Sequence, residues 1–152
     1  MRRPRLALLT PAALAALALI AAGCGSDESD DEASEPLTKA EYITLGDQIC
    51  AAADTEINAT AEEQFGTTEA PAADEQEAFL SEVVAPSYQQ QLDEISELTP
   101  PEEDQEEIDA ILTALQELTD QAQDTPGELL EATEPPEASA LAQAYGFTAC
   151  GS

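Results

Sequence analysis

Residues 37–66 read LTKAEYITLGDQICAAADTEINATAEEQFG, and their apolar positions have the spacing of one long amphipathic helix. Steps of three and four residues place these positions on one helix face, namely Tyr42, Leu45, Ile49, Ala53 and Ile57. Ile43, Cys50 and Ala61 flank the same stripe. The pattern therefore predicts a first helix over residues 39–65.

Both ends of this helix are marked in the sequence. Thr38 and Glu41 have the spacing of a capping box, in which each side chain bonds the other residue's backbone N–H. Leu37 can pack on Tyr42 across the first turn. Gly66 is typical of the residue that ends a helix.

A second apolar stripe predicts one kinked helix from Ala73 to Leu98. Its members are Leu80, Val83, Val84, Tyr88, Leu92, Ile95 and Leu98. Pro86 interrupts the run, so two shorter helices are the alternative. The stripe keeps its phase across the proline, which favours a single helix.

A third helix is predicted from Pro100, because Thr99 and Glu102 repeat the capping-box spacing and proline suits the first helical position. Its buried face comprises Ile108, Ile111, Leu112, Leu115 and Leu118. The acidic residues of its first turns, Glu102 to Glu107, suit the positive end of the helix dipole, so we interpret them as structural.

The last third of the chain predicts two short helices. Thr125 and Glu128 have the box spacing once more, which indicates a helix through Leu130. The final helix follows Pro135-Pro136 and ends at Gly146, where Phe147 can fold back in a Schellman cap.

No strand-like alternation occurs, and the loops between the long stripes are short. We therefore predict an all-α fold, an antiparallel up-down bundle of three to four helices. Three segments are expected: a signal peptide over 1–23, an acidic disordered tether over 24–36, and a helical bundle domain over 37–152.

The first 24 residues have the order of a secretion signal. Three of the four basic residues lie in the first five positions, an apolar run follows from Leu6 to Ile20, and Ala21-Ala22-Gly23-Cys24 comes next. The last four resemble a bacterial lipobox, with Ala21 where leucine is commonest. This resemblance implies a diacylglycerol on Cys24 and cleavage before it. An uncleaved transmembrane anchor is the alternative, but the run is short for a bilayer and Pro11 interrupts it.

The spacer from Gly25 to Pro36 (GSDESDDEASEP) is small, polar and acidic, so it cannot bury enough apolar surface to order itself. Its like charges extend it and hold the domain away from anionic lipid. A solubilising tail without a spacing role is equally compatible with this composition.

Cys50 and Cys150 remain as an even pair once Cys24 carries lipid, and the predicted compartment permits oxidation. We expect a disulfide that clamps the C-terminal tail onto the first helix. Two unpaired thiols are the alternative.

Charge and composition exclude several functions. Beyond residue 23, 33 acidic side chains face a single cation, Lys39, so nucleic-acid and polyphosphate binding are disfavoured. The chain has no histidine, and the position of Lys39 at a helix start is typical of a surface residue. We therefore expect no catalytic residues and no enzyme activity. We expect no defined metal site and no cofactor, only diffuse counterion binding.

Several features together resemble small uncharacterised lipoproteins of high-GC actinobacteria. They are the lipobox, the acidic spacer, Leu37 to Tyr42, Cys50, Val84-Ala85-Pro86, Leu98 to Pro101 and the closing Tyr145 to Gly151. The resemblance implies a source and a topology, and no particular activity.

The expected role is that of a lipoprotein anchored to the outer face of the cytoplasmic membrane, a non-catalytic module that contacts another envelope protein. The alternative is a binder of cationic or small apolar ligands, on the acidic surface or in a bundle cavity. A carboxylate-based hydrolase is the weakest hypothesis, because no particular pair of acids stands out. The sequence carries no signal for an oligomeric state.

Overall fold

The computed structural model describes residues 35–66 and 70–151, which form an antiparallel up-down helical bundle. Every regular element in these two ranges is a helix: α1 (Lys39–Phe65), α2 (residues 73–96), α3 (Gln105–Asp124), α4 (Pro126–Glu131) and α5 (Glu137–Tyr145). Helix α2 packs on both α1 and α3, and α5 packs on α3. A disulfide bonds the C-terminal tail to α1. The predicted fold class is confirmed.

Helix α1 begins and ends where its sequence predicts. The Glu41 N–H donates to Thr38 Oγ1 at 3.3 Å, and the Thr38 N–H donates to Glu41 Oε2 at 3.0 Å. These bonds from Thr38 lower the pKa of Glu41. At the other end the Gly66 N–H donates to the Glu62 carbonyl at 2.8 Å. Leu37 packs against the core cluster that contains Tyr42, as expected.

Helix α2 is continuous across Pro86 and contains one π-helical turn, Leu80–Val84, between α-helical Ala73–Phe79 and Ala85–Ser96. The Ala85 N–H donates to the Leu80 carbonyl five residues back. Proline has no N–H to donate, and a widened turn next to it is a known way to keep a helix unbroken. The prediction of one helix is confirmed; its irregularity is a π-helical turn, and it ends at Ser96, two residues early.

The predicted start of α3 at Pro100 is wrong, because the helix begins at Gln105. The Thr99 carbonyl instead accepts the Leu37 N–H at 3.0 Å, which ties this segment to the chain entering α1. Residues 102–104 form turns, and the Asp104 N–H donates to the Pro101 carbonyl at 3.1 Å. A tertiary hydrogen bond has overridden the local capping signal.

The two short helices lie where the sequence predicts them, but only the second has the predicted cap. At the first, the Glu128 backbone N–H donates to the Thr125 backbone carbonyl at 3.0 Å, and the Thr125 side chain does not cap the helix. At the second, Gly146 adopts a φ of 122°. The Phe147 N–H donates to the Ala142 carbonyl at 3.0 Å, and the Gly146 N–H donates to the Gln143 carbonyl at 3.1 Å. These two hydrogen bonds form a Schellman motif.

The main core lies between α1, α2, α3, α5 and the tail. Its buried residues are Tyr42, Cys50, Ile95, Ile108, Ile111, Ala142, Tyr145 and Phe147. Three aromatic rings meet in it: Tyr42 lies 6.3 Å from Tyr145 and 6.1 Å from Phe147, and those two are 5.4 Å apart, centroid to centroid. Offset and edge-on ring pairs of this kind add to the stabilisation from burial.

Gly46 lies in the middle of α1 because the Phe147 ring packs directly on its backbone. A Cβ atom at Gly46 would lie 2.5 Å from Phe147 Cε1, inside any real contact. We expect Gly46→Ala to lower the free energy of unfolding by about 2 kcal/mol, despite the better helix propensity of alanine. Urea denaturation measures this change. In a Phe147→Leu background the loss should vanish, and an equal loss in both backgrounds would contradict the packing explanation.

Candidate functional site

The structure brings together the two cysteines that the sequence pairs. Cys50 and Cys150 form a disulfide across a separation of 100 residues, with their Cα atoms 5.1 Å apart. Cys50 is buried in the main core, and Cys150 belongs to the tail that follows α5. The bond therefore closes a loop that contains most of the bundle. The predicted lipid-attachment residue, Cys24, lies outside the described residues.

The C-terminal tail has a second anchor, Asp47, which the sequence analysis missed. Its Oδ1 accepts the backbone N–H groups of Thr148 at 3.0 Å, Ala149 at 2.8 Å and Cys150 at 3.3 Å. Its Oδ2 accepts the Thr148 hydroxyl at 2.6 Å. One carboxylate thus satisfies three consecutive backbone donors of the tail.

These bonds also set the charge state of Asp47. Partial burial acts to raise its pKa, but the hydrogen bonds from Thr148, Ala149 and Cys150 outweigh burial, so the pKa lies below its ordinary value. A signal for this contact was present, because Asp47 precedes Cys50 by one helical turn. A disulfide at Cys50 brings the tail past that same face of α1.

Lys39, the only cation beyond residue 5, is engaged at the start of the bundle. Its Nζ lies 3.7 Å from the Tyr145 ring centroid, 3.7 Å from Asp104 Oδ2 and 3.8 Å from Glu107 Oε2. The Tyr145 hydroxyl donates to Asp104 Oδ2 at 2.8 Å. Burial, followed by this bond to Asp104, raises the pKa of Tyr145. The cluster joins the start of α1 to the start of α3 and the end of α5.

A groove with a volume of about 500 Å³ opens between α2, α3, α4 and the segment that leads into α5. Its walls include three buried apolar side chains, Val84, Ala114 and Leu118, with half-buried Tyr88 beside them. The pKa of Tyr88 is raised, mainly because its side chain is partly buried and also because of the negative charge of Asp54. The remaining lining residues are Leu80, Glu117, Gln121, Leu129, Ala132, Glu134, Pro136 and Glu137.

The charged lining of this groove has one sign. Glu117 on α3, Glu134 in the connecting segment and Glu137 at the start of α5 are exposed and line it, and Lys39 does not. Carboxylates from α3 and from the start of α5 therefore line a groove that also has apolar walls. Such an arrangement can hold an apolar group and attract a positive charge at its edge.

Three other hollows are weaker candidates. One of about 530 Å³ lies around α4, but none of its lining residues is buried, so it offers no apolar interior. The second lies beside the disulfide and has a volume of about 30 Å³, which is space for little more than one water molecule. The third lies between α1 and α2 and has a volume of only about 80 Å³. The groove between α2 and α3 is accordingly the candidate site.

Two further findings concern the described part of the chain. None of its helices is both long and apolar enough to cross a bilayer. No group of three or more Asp, Glu, His or Cys side chains among residues 35–66 and 70–151 could hold a metal ion.

Fold and site together define a small all-α domain with a disulfide-bonded C-terminal tail and an acidic-rimmed groove between α2 and α3. No protein-family model, no curated protein and no solved structure matches this chain. Its function must therefore be inferred from its own residues.

Proposed function

We propose that the chain is an extracytoplasmic lipoprotein, anchored through lipid on Cys24 to the outer face of the cytoplasmic membrane. The observation that carries this proposal is the order of the first 24 residues, with a basic start, an apolar run and Ala21-Ala22-Gly23-Cys24. Two acyl chains on one residue give a stable anchor without a spanning helix. The Cys50–Cys150 disulfide supports an oxidising compartment.

The helical domain then acts as a non-catalytic interaction module at the cell envelope. The absence of histidine from the sequence, and of arginine beyond residue 5, supports a role other than proton transfer or phosphate chemistry. The acidic spacer would hold the module away from anionic headgroups. This role requires a partner among the proteins of the envelope.

We expect Cys24→Ala to abolish acylation of the chain, and the cleavage before residue 24 that depends on it, in a bacterium that processes lipoproteins. Intact-mass analysis and labelling with a palmitate analogue measure this. The matched control is Cys50→Ala/Cys150→Ala, which removes two cysteines and should keep the lipid. A wild-type chain that retains Met1 and carries no acyl group would overturn the proposal.

Binding of a cationic or small apolar ligand is the second candidate function, and the groove between α2 and α3 is the observation that favours it. Its volume of about 500 Å³ lies within the range of small-molecule sites, roughly 300–1,000 Å³. An anchored domain with such a groove would act as a binding protein at the cell surface.

A further inference from the structure

We propose that the groove between α2 and α3 binds a small cationic amphiphile, a molecule with one compact apolar body and one ammonium group. This inference rests on the second candidate function and adds the class of ligand and the residues that select it. The apolar body would lie on Val84, Ala114 and Leu118, and the ammonium group would lie among Glu117, Glu134 and Glu137.

The groove has an apolar floor of buried side chains. Val84, Ala114 and Leu118 are each less than a tenth exposed, yet all three line an open groove of about 500 Å³. Leu80 and Val84 are the two ends of the π-helical turn, and both line the groove. Turns of this kind recur at functional sites, because the added residue reshapes a helix surface. The more exposed apolar lining residues, among them Leu80, Leu129 and Pro136, supply the surface that a bound apolar body would remove from water.

The charged side chains that line the groove are all carboxylates. Glu134 and Glu137 are near neighbours in the sequence at the start of α5, and the fold brings Glu117 of α3 to the same opening. Lys39, the one cation of the domain, is already engaged with Asp104 and Glu107. Among the described residues no lysine or arginine neutralises the groove carboxylates, so an anionic ligand would be repelled.

Tyr88 adds a further preference for a cation. Its half-buried side chain lines the groove, and the face of an aromatic ring attracts ammonium groups. Anions gain nothing from that face. Apolar walls, one-sign charge and an aromatic ring thus favour the same class of ligand.

Three hexyl compounds test this inference: hexyltrimethylammonium, neutral hexanol and hexanoate. The full chain is used as cells process it, in phosphatidylcholine nanodiscs where it carries lipid, with empty nanodiscs as the blank. Calorimetry should show hexyltrimethylammonium binding at least about tenfold more tightly than hexanoate. Glu117→Gln/Glu134→Gln/Glu137→Gln should weaken this binding about tenfold and leave hexanol unchanged.

A second triple variant separates the groove from diffuse attraction to an acidic protein. Glu63→Gln/Glu97→Gln/Glu103→Gln removes the same charge from exposed positions that do not line the groove. It should change the affinity by less than about twofold. Equal losses in both triple variants would overturn the inference.

The remaining outcomes distinguish this inference from the function on which it rests. If hexanol and hexyltrimethylammonium bind equally well, the groove binds small apolar ligands and the preference for cations is wrong. If none of the three compounds binds, both the inference and the second candidate function fail. The lipid test on Cys24 is independent of either result.

Discussion

Cys50→Ala/Cys150→Ala is expected to lower the free energy of unfolding by about 4.7 kcal/mol, the value of the chain-entropy account for a closed loop of about 100 residues. The disulfide spans a separation of 100 residues, so it restricts nearly the whole unfolded domain. Small domains are stable by only about 5–15 kcal/mol, and the excess of carboxylates weakens the compact state further. The double variant should therefore be partly unfolded at physiological temperature. Urea denaturation followed by far-UV circular dichroism measures the change.

Reduced wild-type protein is the control for this prediction, because reduction breaks the cross-link and leaves both side chains in place. It should lose nearly as much stability as the double variant. A loss below about 1 kcal/mol in both would show that the remaining tail contacts suffice, and would contradict the entropic account.

Asp47→Ala is expected to lower the free energy of unfolding by about 3 kcal/mol at neutral pH. Hydrogen bonds to a charged group contribute roughly 1.5–3 kcal/mol each and are not additive, and exposure of the site reduces the sum. The variant leaves the N–H groups of Thr148, Ala149 and Cys150 without this acceptor. Glu56→Ala, on the exposed side of the same helix, removes the same charge and should change stability by less than about 0.5 kcal/mol.

The contribution of Asp47 to the free energy of unfolding should also depend on pH, and its lowered pKa determines the direction of that dependence. A carboxyl group whose pKa is lower in the folded state stabilises the fold at pH values above its pKa in the unfolded chain, which is about 3.9. That stabilisation is lost as the pH falls through the folded pKa. The difference between wild type and Asp47→Ala should be constant from neutral pH to about pH 5 and shrink in stronger acid. A difference that grows on acidification would contradict this account.

The sequence predicted the helices well where local chemistry decides their ends. The capping box at Thr38 and the Schellman cap at Gly146 both form, because each bonds residues within a few positions of one another. The same spacing at Thr99 failed, since the Thr99 carbonyl is held by Leu37 from a distant part of the chain. A capping signal thus predicts a helix end only where no tertiary contact competes for the same backbone.

The candidate site was much less visible in the sequence. Leu80, Val84 and Tyr88 were predicted to share one face of α2, but the stripe alone cannot show that part of that face remains open. The opposite side of the groove is formed by residues of other elements, such as Ala114 of α3 and Leu129 of α4, which the stripe of α2 cannot reveal. Rim carboxylates such as Glu134 and Glu137 were indistinguishable from the other acids before the fold placed them.

The π-helical turn Leu80–Val84 gives α2 a place where a change in chain length need not turn its two halves against each other. Such a turn accommodates one surplus residue, so the two flanking segments keep a relative orientation that a regular helix of the same sequence would not give. Deleting one residue there should restore a regular α-helix, whereas a deletion in a regular stretch would swing one segment by about 100° against the other. Phe79, whose ring centroid is 5.2 Å from that of Phe65, should then keep its place against α1, and Tyr88 its place in the groove. In this domain a one-codon deletion at that turn should therefore be far less damaging than one elsewhere in the same helix.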